Sequence, residues 1–198
     1  MRIIKNAVLV IFLFLVVSII SGCSEKVEEK IENKDVKTYS NFGFSFEYPT
    51  YMTGFEELGL LEEKATDASG SISAFKSSLS EDYSDDIAVG WFKNMLYQES
   101  DLEEDIKAAI DELYFIVKED FGNLAKVEMV GGLVEGKKDG NKLLYQLYTI
   151  NSENEKREGV VGTWYSQKLK RAYILAVSKE GAGALELFEK ILKSFKED

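Results

Sequence analysis

The chain of 198 residues contains no histidine and one cysteine, Cys23. Without an imidazole there is no Ser-His or Cys-His nucleophile and no histidine-bound metal, and without a second thiol there is no intrachain disulfide. Proline occurs once, at Pro49, and the 24 Lys and Arg are outnumbered by 35 Asp and Glu, a formal charge of −11. Nucleic acids are bound by Lys and Arg that displace counterions, so a chain whose basic residues are this diluted by acids is expected to bind none. The same balance argues against attachment to a lipid surface through a basic amphipathic face, so acyl chains are the expected membrane contact. Solubility through self-repulsion is the simplest consequence of the acidity.

What is present begins at the N-terminus. Arg2 and Lys5 precede the apolar run Ala7–Ile20, which is short for a membrane span and ends in Ile20-Ser21-Gly22-Cys23. Cations, an apolar stretch and small residues before a cut site form a secretory signal. An aliphatic residue three before a cysteine, a small one two before and a glycine directly before it make a lipobox, so residues 1–22 read as a lipoprotein signal peptide. Cys23 is the expected lipid attachment point, bearing acyl chains such as palmitate, with the protein held at the extracytoplasmic face of the cell membrane. Cleavage removes Arg2 and Lys5 and no acid, leaving 22 basic residues against 35 acids, a charge of −13.

Residues 23–38 are the anchored cysteine and a charged tether whose few aliphatics, Val27, Ile31 and Val36, cannot hold a packed element. The remaining 39–198 have the length and aromatic density of one globular domain. Phe42, Phe44, Phe46 and Tyr48 alternate, which predicts a strand with one buried face, ended by Pro49. A second strand is expected at Ile72–Ser78 after the loop signal Asp67–Ser71. The stretch Tyr51–Lys64 fits a strand or a short helix equally. Ile87, Trp91 and Met95 lie four apart and predict a helix over Asp86–Gln98, with Trp91 an inward anchor rather than a ligand platform. Ser100, with Glu103 three positions on, predicts a capped helix start. Leu102, Ile106, Ala109, Ile110, Leu113, Ile116 and Val117 then form its core stripe.

Four strand candidates follow near Ala125–Glu135, Lys142–Asn151, Gly159–Gln167 and Arg171–Ser178, a meander whose first connection, Gly136–Asn141, carries an Asp-Gly pair. Leu143–Ile150 is apolar on both faces, as in a strand covered on both sides. A last helix from about Ala182 should lay Leu185, Phe188, Leu192 and Phe195 on the sheet.

The opening Phe42-Gly43-Phe44-Ser45-Phe46-Glu47-Tyr48-Pro49, the Val130-Gly131-Gly132 step after a helix, the Leu144–Tyr148 strand and the terminal helix Phe188–Phe195 occur in an order that resembles the PsbP-like family, across the whole domain. The resemblance implies the Mog/PsbP-like α/β (α+β) arrangement, an α/β/α sandwich with a central antiparallel β-sheet and helices on both faces. Its members include a photosystem II extrinsic subunit, a nuclear-transport cofactor and many prokaryotic lipoproteins, so it implies a fold rather than an activity. The chain departs from the family where Thr50, Tyr51 and Met52 follow Tyr48-Pro49, a place at which a Trp is usual. The segment Asp86–Gln98, read as a helix, looks like added material.

The expected function is therefore non-catalytic, with no cofactor: a membrane-anchored domain that binds or helps assemble an as yet unidentified protein partner. The alternative is a module for a small ligand or divalent cation. The acidic runs Glu81, Asp82, Asp85, Asp86 and Asp101, Glu103, Glu104, Asp105 do not match the spaced calcium loop and flank expected helix starts, where acids offset the helix dipole. No metal site is therefore assigned. A hydrolase using carboxylates alone would need a partly buried carboxyl pair in a cleft. Gly181-Ala-Gly183 lacks the third small residue and the returning strand of a dinucleotide loop, and reads as a turn into the last helix.

Overall fold

The computed structural model describes residues 36–58, 64–76, 85–121, 125–152 and 155–198. The chain opens with a hairpin of β1 (Val36–Asn41) and β2 (Phe44–Pro49), followed by β3 (Met52–Leu58), β4 (Ser69–Lys76) and β5 (Asp85–Lys93). After α1 (Asp101–Phe121) come the long strands β6 (Lys126–Lys138), β7 (Asn141–Asn151), β8 (Lys156–Ser166) and β9 (Arg171–Glu180). Helix α2 (Ala184–Ser194) and the two-residue β10 (Lys196–Glu197) close the chain.

Seven strands form one antiparallel sheet in the order β3-β4-β5-β9-β8-β7-β6. The expected sandwich follows from the side chains on its two faces. Ile87, Val89, Trp91, Tyr173, Leu175 and Val177 point to one side, where they meet α2 and the aromatic face of β2. Ala88, Ile174, Ala176, Val161, Tyr148 and Ile150 point to the other and are covered by Ala109, Leu113 and Val117 of α1. Strands buried on both faces carry near-continuous apolar runs, as β9 does from Ala172 to Val177.

The small second sheet, β1-β2-β10, pins the hairpin to the chain end. Phe44 and Phe46 stack on Phe195 at 5.2 and 6.0 Å between ring centres, and Phe195 meets Trp164 and Tyr173 edge-on. Aromatic pairs at this spacing add to simple area burial. The alternating aromatics thus do bury one face, but the segment Asn41–Pro49 is a turn and a strand rather than one strand. Phe42 and Gly43 take φ of 52° and 76°, the positive angles a two-residue hairpin turn needs. Val36, Lys37 and Thr38, assigned above to the tether, are already in β1.

Other expectations change as well. Asp86–Gln98 is not a helix. Its first part is β5, paired on both sides, and Met95 and Leu96 lie in the loop beyond it. Ile87 and Trp91 share a strand face with Val89 between them, so a spacing of four suits a period of two as well as a helix. The segment is consequently not added material but the middle of the sheet. Trp91 is an inward anchor, 1% exposed, with its indole N–H donating to the Thr66 carbonyl at 2.9 Å. Strand β4 begins at Ser69, inside the expected loop signal, and Ser71 and Ser73 are buried in it. Met52–Leu58 is strand, and 59–63 lie outside the described residues.

Helix α1 and the four meander strands fall where expected. The first meander turn is Asp139-Gly140, with φ of 50° and 83°, between the paired Lys138 and Asn141. Helix α2 starts at Ala184, after Gly183 at φ 101°, and buries Leu187 and Ile191 with Phe188, while Leu185 and Leu192 are half-buried.

Candidate functional site

The expected lipid attachment point Cys23 and the lipobox candidates Ile20, Ser21 and Gly22 lie outside the described residues, as do Glu81 and Asp82. The rest of the two acidic runs is dispersed by the fold. Asp86 accepts a hydrogen bond from Nη2 of Arg157 at 2.8 Å, Asp101 accepts from the Gln98 N–H at 2.8 Å, Glu103 and Glu104 face solvent, and Asp105 is buried. Among the described residues no group of three or more Asp, Glu or Cys is placed to hold a metal.

The structure instead shows buried polar positions that periodicity did not reveal. Arg157, 5% exposed, donates to Ser178 through Nε at 2.9 Å, to Glu155 at 2.9 Å and to Asp86. Burial works against its charge, but Asp86 and Glu155 outweigh it and hold the guanidinium above its ordinary range. Arg171, 3% exposed, donates to the carbonyls of Phe42 at 2.6 Å and Asp67 at 2.5 Å and sits beside the Tyr173 hydroxyl. It ties the strained Phe42-Gly43 turn and the loop before β4 to the start of β9. Burial pushes the Tyr173 phenol up to about 12, partly offset by Arg171.

Asp105 lies on the sheet side of α1, where Leu102, Ile106 and Ala109 pack. The Tyr97 hydroxyl donates to its Oδ2, and Tyr97 stacks on Tyr165 with ring centres 4.6 Å apart. Burial pushes the Asp105 carboxyl up to about 7, opposed by the Tyr97 hydrogen bond and reinforced by Asp101 and Glu104. A carboxyl shifted this far has the affinity of an acid-base catalyst, but at 1% exposure it does not face a substrate.

An open cleft of about 290 Å³ lies between the β6–β7 turn and α2, lined by Lys137, Lys138, Asp139, Glu189, Leu192 and Lys193. Lys138 is buried, and its ammonium donates to the Phe195 carbonyl at 2.8 Å and pairs with Asp139 at 2.7 Å. It satisfies a carbonyl at the end of α2, a structural task for a cation at that pole of a helix. The two carboxylates of the cleft, Asp139 and Glu189, are both exposed.

These layers have the Mog/PsbP-like fold. A solved structure similar to it is the Ran-binding protein Mog1p of Saccharomyces cerevisiae, at 12% identity, covering 83% of this chain and 96% of that one with a TM-score of 0.50. Others are a protein of Bacteroides thetaiotaomicron (13% identity, 83% of this chain and 49% of that one, TM-score 0.47) and LpqN, involved in cell envelope biogenesis in Mycobacterium tuberculosis (10%, 82% and 91%, TM-score 0.44). No family model matches the chain, and no curated relative matches it. At such identities the likeness to Mog1p is one of fold.

Proposed function

We propose that this chain is a non-catalytic, lipid-anchored domain at the extracytoplasmic face of the cell membrane that binds or helps assemble another protein. The observation that carries the reading is a lipobox ahead of a domain whose buried charged groups bond within the fold. Arg157 serves Asp86 and Glu155, Asp105 serves Tyr97, and Arg171 serves two backbone carbonyls. Such a domain offers its surface to a partner rather than a reactive pocket. Mog1p, a Ran-binding protein, uses the same fold for a protein partner, which supports the reading. A hydrolase would want a partly buried carboxyl pair in its cleft, and the pair present is exposed.

The test is cross-linking of the full-length chain in its host, with Cys23→Ser as the mislocalised control, followed by mass spectrometry. A protein enriched only with the anchored form is the expected result. An N-terminal peptide beginning at Met1 with Cys23 unmodified would refute the anchor. A small-ligand module is the second reading, favoured by the open cleft at Lys138 and Leu192. It predicts a ligand-dependent rise in melting temperature, because binding the native state alone must stabilise it.

A further inference from the structure

Met95 and Leu96 are 83% and 85% exposed, side by side in the loop between β5 and α1. Their exposure is built in. The Asn94 N–H donates to the Lys170 carbonyl at 3.0 Å, the Tyr165 hydroxyl donates to the Asn94 carbonyl at 2.8 Å, and the Leu96 N–H donates to Asn94 Oδ1 at 3.0 Å. Directly after the pair, Tyr97 is buried against Phe92 and Tyr165. The loop is thus held on both sides of two side chains that touch little of the protein.

The Asn94–Lys170 bond also brings the β8–β9 turn, Gln167-Lys168-Leu169-Lys170, beside this loop. Exposed Lys93, Lys168 and Lys170, drawn from segments some 75 residues apart in sequence, thus share this end of the sheet with the apolar pair, the Lys170 ammonium donating to Gln167 Oε1 at 3.2 Å. Neither segment 93–98 nor 167–170 contains an acid; the neighbouring acids are Glu99, Asp101, whose Oδ2 accepts from the Gln98 N–H, Asp67, on the loop whose Ala68 carbonyl meets the Lys93 N–H, and Glu197, which accepts from the Ser166 hydroxyl. In a chain of charge −11 the two segments themselves carry three lysines and no acid.

We propose that this tip is a second membrane contact, with Met95 and Leu96 entering the acyl boundary of an anionic lipid surface and the three lysines lying at phosphate level. Apolar side chains that project past a collar of cations suit the bilayer interface, where the ammonium groups meet anionic headgroups and the chains below meet hydrocarbon. The sequence beyond the described domain permits it. The 12 residues Ser24–Asp35 can extend about 40 Å, whereas β1, six residues long, sets its start about 20 Å from the Phe42-Gly43 turn. Arg171 ties that turn to the first residue of β9, next to Lys170. The proposal rests on the anchored reading above and adds an orientation to it, tip toward the membrane and the two helices to its sides.

The experiment uses the full lipidated chain. With Cys23 acylated, Met95→Cys supplies its one free thiol, to be labelled with an environment-sensitive fluorophore. Glu180→Cys, exposed at the opposite end of β9, is the control. Each is reconstituted into vesicles of phosphatidylcholine alone or mixed with phosphatidylglycerol. The expected result is a blue-shifted emission at position 95 in anionic vesicles, lost with a combined Lys93→Glu, Lys168→Glu, Lys170→Glu chain and reduced at high salt. Aqueous emission in both vesicle types, or an equal shift at position 180, would overturn the proposal. A shift seen in native membranes but not in protein-free vesicles would overturn it in favour of a protein occupant. Label uptake by Cys23 in the unsubstituted chain would refute the anchor, a result read before any vesicle is added and so distinct from failure of the tip.

Discussion

The hydroxyl of Tyr97 donates to Oδ2 of Asp105, a carboxyl 1% exposed whose Oδ1 has no hydrogen-bond partner. The bond joins the loop that carries Met95 and Leu96 to the second turn of α1, inside a cluster of Phe92, Leu102, Ile106, Leu144 and Tyr165. An acceptor left unpaired in such surroundings is better tolerated on a neutral acid than on an anion.

The first prediction is therefore a pH dependence. The Asp105 carboxyl is pushed, by burial above all, from its ordinary 3.8 to about 7. The native state keeps a proton that the unfolded chain releases, so this group's contribution is full below about pH 4, falls as pH rises to about 7, and is level beyond. Asp105→Asn removes the titration. Its stability relative to the parent should climb across that window by up to about 4 kcal/mol, read from urea unfolding at successive pH values. A constant difference between pH 4 and pH 8 would contradict the assignment.

Gly159 has no room for a side chain, because a Cβ there would lie 2.0 Å from the Tyr148 ring, which is itself buried across the β7–β8 pair. Gly159→Ala should cost about 1–3 kcal/mol through overpacking. Much of that loss should return with Tyr148→Leu in the same chain, which vacates the space. Additive losses in the double variant would count against a direct clash.

Arg157 joins β5 to β8 through Asp86 and also reaches Ser178 and Glu155. Removing one member of a buried ion pair leaves the other short of a counter-charge, so Arg157→Met should destabilise by about 3 kcal/mol. Combining it with Asp86→Leu should recover part of the loss. The check is a double-mutant cycle on denaturation midpoints.

Arg171→Lys keeps the charge but loses the planar fork that reaches the Phe42 and Asp67 carbonyls together. Phe42 sits at φ 52°, an angle a bulky residue adopts only when held. The expected outcome is a loss of about 1–2 kcal/mol and faster amide exchange at residues 40–45, with the α1 amides unchanged. Equal exchange in variant and parent would show that the turn does not depend on this clamp.

Much of the fold was legible in local pattern. The α1 stripe from Leu102 to Val117 has a period that only a helix satisfies over so many residues, and the meander shows strands separated by Asp-Gly and polar turns. Strand β5 was misread because a strand buried on both faces loses the polar alternation that marks a half-exposed one, and the chance spacing of Ile87, Trp91 and Met95 then resembled a helix. Ser69-Gly70-Ser71 read as loop because small polar residues signal turns, although in β4 neighbouring strands satisfy their backbone groups.

The polar interior was not legible. Nothing near Asp105 in sequence distinguishes it from Asp101 or Glu104, and nothing marks Arg157 and Arg171 as buried among 24 basic residues. Burial of a charge depends on partners far away along the chain, such as Asp86 for Arg157 and Phe42 for Arg171. By itself the sequence determined the overall acidity, the lack of imidazole chemistry and the order of most elements, because these follow from composition and short-range periodicity. Tertiary structure alone decided which acids are neutralised, that the β8–β9 turn lies beside the loop of Met95 and Leu96, and how the opening hairpin meets the last residues. Those outcomes depend on which distant segments pair across a sheet, and local periodicity carries no term for that.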